Sequence, residues 1–89
     1  MRLQDLIKNK RTELGFSQEK LAKVLGYSSG QFVSNWERGE SFPPLDRLAK
    51  MTLLFKLEEN QLLELFLAET SKLARKEYVK ALEFQKTFE

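Results

Sequence analysis

Three glycines constrain this chain most: Gly15, Gly26 and Gly39 each stand just past a run of apolar residues at helical spacing. A glycine in that place takes the left-handed conformation that ends a helix. The chain is thereby cut into short helices, and no segment sustains the alternation of a strand. Leu3, Leu6, Ile7, Lys10 and Leu14 share one stripe, which predicts a first helix over Leu3–Leu14. Ser17 is a good N-cap for a second, with Leu21, Ala22 and Leu25 on its inner side. Tyr27-Ser28-Ser29 reads as a turn in which one serine caps the next helix. A third helix over Gly30–Arg38 turns Phe32, Val33 and Trp36 inward. Glu40 to Pro44 is a loop, and a proline suits the first turn of a fourth helix. Leu45, Leu48, Ala49, Thr52 and Phe55 form that helix's inner face. Asn60 or a neighbour opens the last stretch, with Leu62, Leu63, Phe66 and Leu67 toward the core. No glycine or proline follows, so the helix is expected to continue toward Glu89.

The fold class that follows is all-α, with five helices and an extended C-terminal one. The 89 residues make one modest core and no more. Helices this short are marginal alone. The second helix, its tight turn and the third helix therefore form one packed unit, a helix-turn-helix.

Chemistry narrows the function. There is no cysteine and no histidine, so no disulfide, no thiolate metal site and no imidazole base is available. Neither a glycine-rich phosphate loop nor a Gly-x-Ser-x-Gly elbow is present. An enzyme is not expected, nor a metal, cofactor or small-molecule ligand. No apolar run approaches the roughly 20 residues of a membrane span. Met1-Arg2-Leu3-Gln4-Asp5 is no signal-peptide start, so a cytoplasmic protein is expected. Net charge is +2, but residues 1–39 carry seven Lys or Arg against four acids. That basic front is compatible with phosphate contact without requiring it.

Ser17-Gln18-Glu19-Lys20-Leu21-Ala22-Lys23-Val24-Leu25-Gly26, then Val33-Ser34-Asn35-Trp36-Glu37-Arg38-Gly39, then Pro43-Pro44, resemble the lambda-repressor-like (Cro/C1, XRE) DNA-binding domains. The resemblance runs over roughly residues 3–67, and the combination is specific where each piece alone is weak. It implies a five-helix DNA-binding domain over 1–67, with residues 68–89 as a helical extension. In such a unit the second helix lies in the major groove and its side chains reach base edges. Ser29, Gly30, Gln31, Ser34 and Asn35 fall on the reading positions. Gln31 is the leading reader, since its amide pairs bidentately with adenine. The bland reading of the same residues is a solvated helix face.

The resemblance also places Gln18 on a phosphate, or on a base through the next helix; the free N–H groups at the start of its helix suit an anion. It implies a structural ion pair between Arg11 and Glu37, with Arg11 a further candidate for phosphate. Lys20, Lys23, Arg38 and Ser41 are the remaining phosphate candidates, for which plain solvated surface is the competing reading. Trp36 is read as core. The chain departs from the pattern twice. The stretch from Gly26 to Gly39 is one residue longer than the family pattern; counting back from Glu37-Arg38-Gly39 keeps Val33 and Trp36 in register with the core. The loop after the third helix carries Glu40 where basic residues are common.

Beyond the resemblance, Leu67, Ser71, Ala74, Tyr78, Ala81, Gln85 and Phe88 recur at steps of four and three, a heptad seam. Such a helix either folds back or pairs with another chain. Ala74, Tyr78, Ala81 and Phe88 are the expected dimerisation residues. The expected function is a transcriptional regulator, a repressor binding double-stranded palindromic DNA as a homodimer. The alternative is a helix-turn-helix module, antitoxin-like or polymerase-binding, that binds protein instead. The discriminator is whether Gln18, Gln31 and Asn35 share one exposed face with basic residues around it.

Overall fold

A computed structural model describes residues 1–87 of the chain; the seam residue Phe88 lies outside the described residues. These residues form five helices: α1 (Leu3–Glu13), α2 (Gln18–Val24), α3 (Gln31–Glu37), α4 (Leu45–Leu54) and α5 (Gln61–Lys86). No strand occurs among them. No helix among them is long and apolar enough to cross a membrane.

The helix ends follow from local chemistry. Ser17 Oγ accepts the Lys20 N–H at 3.0 Å and caps α2. After α1 the Phe16 N–H donates to the Arg11 carbonyl at 3.0 Å and the Gly15 N–H to that of Thr12 at 3.0 Å. This pair of bonds satisfies carbonyls that a helix end leaves open. The same pattern closes α2, α3 and α4. At α4 the left-handed residue is Lys56, with φ of 54°, where the others use glycine. A side chain there costs roughly 1–2 kcal/mol. Pro44 stands at the N-cap of α4, one residue ahead of the first turn, and Pro43 is fully buried.

The core gathers Leu3, Leu6 and Ile7 of α1, Leu21 and Ala22 of α2 with Leu25 just past its end, Val33 and Trp36 of α3, Leu48 and Met51 of α4 with Phe55 just past its end, and Leu62 of α5. Several stripe positions differ from the sequence expectation. Leu14 is exposed, because it lies past the last turn of α1, and Lys10 is half-buried beside Glu13. Along α4 the buried line is Leu48, Met51 and Phe55, so Leu45 and Ala49 face outward and Thr52 lies at the edge. Leu65 packs against the core where Leu67 was expected, and Leu67 is exposed. Half-buried side chains on α5 continue to Glu69 and Thr70. From Ser71 to Thr87 every residue is exposed, and the molecule measures 55 Å along its long axis.

Candidate nucleic-acid interface

α3 is held by its inner face and displayed by its outer one. Val33 and Trp36 are buried and fix the helix to the core. Gly30, the N-cap, lies against α2: a Cβ built on it would sit 3.0 Å from the Glu19 nitrogen and 3.2 Å from Gln18 C. The two helices of the unit meet at this glycine because no side chain fits between their backbones. The register counted back from Gly39 agrees with this packing.

Phe32, expected inside, is 49% exposed. It does not enter the core; its ring stacks on Tyr27 of the turn at 4.4 Å between centroids. Tyr27 meets Trp36 edge-on at 5.8 Å, and the Arg47 guanidinium lies over the Tyr27 ring at 4.9 Å. Arg47 also pairs with Asp46, while its buried Nε has no partner. The turn is thus braced by an aromatic and cationic stack, with part of Phe32 left facing water.

Beneath the far end of α3 sits a buried polar cluster. Arg11 Nε–H donates to Glu37 Oε2 at 2.6 Å and Nη2–H to Oε1 at 3.0 Å, a bidentate pair. Arg11 Nη1–H donates to the Phe16 carbonyl at 2.7 Å. Gln18 Nε2–H donates to Glu37 Oε1 at 3.1 Å. The two charged side chains are 11% and 4% exposed. One carboxylate therefore ties together α1, the start of α2 and the end of α3.

Gln31, Ser34, Asn35 and Arg38 lie at i, i+3, i+4 and i+7 and share the outer side of the third helix. Gln31 Nε2–H donates to Asn35 Oδ1 at 2.9 Å, and Arg38 Nη2–H donates to the same oxygen at 2.7 Å. Arg38 also pairs with Glu40 Oε2 at 3.3 Å. The outcome is one continuous polar chain along the exposed side of a rigidly seated helix.

A family model described as Helix-turn-helix matches residues 7–62, more than half of the chain. The chain belongs to the Cro/C1-type, XRE-like helix-turn-helix family. No curated protein and no solved structure matches it. This helix-turn-helix chain therefore carries the domain of a family of DNA-binding regulators.

Placed in that domain, Ser29 is exposed in the turn and its Oγ accepts the Gln31 N–H at 3.4 Å. Gly30 is half-buried, with the space of its absent side chain directed at α2. Arg11 turns inward, and three of its N–H groups are committed to Glu37 and Phe16, which leaves little for a phosphate. Gln18 is half-buried on Glu37. Lys20 is exposed on α2, and Lys23 is exposed but pairs with Glu19 at 3.4 Å. Ser41 is exposed beyond Glu40. Ala74, Tyr78 and Ala81 are exposed on the tail, away from all of these. Sequence reasoning did not single out Arg47, which braces the turn through Tyr27. It noted Glu40 as a departure but not that Glu40 engages Arg38. The family pattern carries no signal for either contact.

Proposed function

We propose that this chain is a sequence-specific double-stranded DNA-binding transcriptional regulator, acting as a homodimer on a palindromic operator and repressing by occupying a promoter. The observation that carries the reading is the outer side of α3. Gln31, Ser34, Asn35 and Arg38 stand in line on a helix that Val33, Trp36 and the Arg11–Glu37 pair hold rigid. Short polar and amide side chains on a fixed helix suit the donors and acceptors of base edges. Gln31 reads adenine, and Ser34 and Asn35 read beside it. Lys20, Lys23, Ser41 and Gln18 contact phosphates and set the register. Ser29 and Gly30 bring backbone close to the groove. Arg11 acts through Glu37 by positioning the helix.

One such unit reads few base pairs. A two-fold pair reads two half-sites about 34 Å apart. The exposed tail with its seam of Leu67, Ala74, Tyr78 and Ala81 supplies the joining surface.

The test is selection from a random duplex DNA pool with purified protein at two salt concentrations. Enrichment of a palindrome, bound more weakly at higher salt, supports the reading. Enrichment of a single half-site overturns the dimer. Absence of any enrichment overturns DNA reading and favours a protein-binding module.

A further inference from the structure

We infer that two copies of α5 pair antiparallel, so that the tail of each lies along the α4–α5 trough of the other. The inference deepens the homodimer proposed above and rests on it.

The first support is the way α5 changes faces. Its core-facing side runs through Leu62, Leu65 and Glu69. Continued at helical spacing, that same side arrives at Lys72, Leu73, Lys76, Lys80, Glu83 and Phe84, a mostly charged continuation. The tail's apolar line of Leu67, Ala74, Tyr78 and Ala81 lies on the opposite side. A straight helix cannot turn that line back to its own domain, so a second chain must cover it. Leu63 continues the same line toward the domain. It also walls an open trough formed with Leu45, Leu48, Ala49, Thr52 and Glu59.

The second support is charge, and it decides both the occupant and its direction. From residue 57 to residue 71 the charged residues are Glu58, Glu59, Glu64 and Glu69, with no base among them. From 72 to 80 they are Lys72, Arg75, Lys76 and Lys80 against the single acid Glu77. The last helix and its approach are therefore acidic in the first half and basic in the second. Lys72, Lys76 and Lys80 stand on the side away from the apolar line, so the flanking charges that antiparallel pairing brings together are Glu64 of one copy and Arg75 of the other, and flanking charge is what selects helix orientation. A two-fold axis between Thr70 and Ser71 satisfies both supports. It sets Leu67 of one copy opposite Ala74 of the other, and Leu63 opposite Tyr78, with each contact made twice. Tyr78 then enters the trough. Glu64 falls on the flank that carries Arg75.

The chain has no cysteine, so single cysteines on the exposed seam report the pairing directly. In the full-length protein under mild oxidation, Ser71→Cys links to its own copy. Ala74→Cys does not, because its copy lies seven residues along the helix, about 10 Å, beyond the roughly 7 Å that a disulfide spans between Cα atoms. Mixed Leu67→Cys and Ala74→Cys proteins give a crosslinked heterodimer. Self-linking of both Ala74→Cys and Tyr78→Cys would show parallel pairing and overturn the orientation while leaving the dimer standing. Sedimentation as a monomer at every concentration would overturn the dimer and the orientation together. Charge reversal is the second measurement. Glu64→Arg and Arg75→Glu each weaken self-association roughly tenfold, and the double variant restores it. Failure of the double variant to recover association removes the Glu64–Arg75 pairing and with it the assigned register. No readout involves DNA, so the outcome is independent of operator binding.

Discussion

At the scale of single residues, two carboxylates on either side of Arg38 do opposite things. Glu37 is buried and holds α3 in place by accepting from Arg11 and Gln18. Arg11→Ala leaves that carboxylate without its cation in a nearly dry site, and losing one partner of a buried pair costs about 3 kcal/mol or more. Urea unfolding checks this; a loss below about 1 kcal/mol would mean the site admits water freely. Glu40 is exposed and engages Arg38 at 3.3 Å. Exposed pairs are weak in stability, but this one occupies a cation beside the proposed reading face. Glu40→Gln should leave stability nearly unchanged, tighten DNA binding, and steepen the salt dependence by about one phosphate equivalent. An unchanged salt slope would show that Arg38 faces no phosphate. Gln31→Ala should cost about 1–3 kcal/mol on the selected site and relax preference at one base position; preserved preference at every position removes Gln31 from the reading set. The residues on the outer side of α3 were legible in the sequence, because helical spacing places Gln31, Ser34, Asn35 and Arg38 together. Their mutual bonds were not. That Asn35 Oδ1 receives both Gln31 and Arg38 depends on rotamers that spacing does not encode.

At the scale of elements, the places where helices end were more legible than the faces they bury. Gly15, Gly26 and Gly39 announce three ends, since each has positive φ. The end of α4 had no such signal, because Lys56 does a glycine's work there. Faces failed where an apolar residue had a second place to go. Phe32 was placed in the core by its spacing to Val33 and Trp36, whereas stacking on Tyr27 gives it cover outside the core. On α4 the apolar residues outnumber the positions the core can take, and Met51 rather than Ala49 fills the one between Leu48 and Phe55. Gly30 was marked as a reading position, but its close approach to Glu19 gives it a packing role that only coordinates reveal. Two terms compete in Gly30→Ala. The φ there is −76°, so alanine meets no backbone strain. Fewer unfolded conformations would stabilise by about 0.4–1 kcal/mol. Against this, a Cβ 3.0 Å from backbone nitrogen forces α2 and α3 apart, and overpacking of that kind costs about 1–3 kcal/mol. The clash should win, giving a net loss near 1 kcal/mol in denaturant unfolding together with weaker DNA binding. A gain in stability would show that the α2–α3 joint yields without cost.

At the scale of the whole molecule, packing and polarity divide the chain at different points. Packing of α5 against the domain ends at Glu69 and Thr70, while its charge changes sign between Glu69 and Lys72. From Ser71 to Thr87 the chain is exposed throughout, and an isolated helix of that length is marginal in water. Its order therefore depends on being covered, and coupling two reading domains is a use that justifies the exposed apolar line. Among the described residues, ending the chain after Ser71 removes only exposed ones, and the buried core from Leu3 to Leu62 remains complete. The shortened protein should unfold with nearly the same midpoint at low concentration, yet scatter light as a monomer. Binding to a palindrome should fall by about a hundredfold or more, because the second half-site is no longer engaged intramolecularly. Affinity for one isolated half-site should hardly change. A shortened protein that still dimerises would place the joint within residues 1–71, on the trough lined by Ala49, Thr52 and Leu63 alone. That result would leave the tail's apolar line for a different protein to cover.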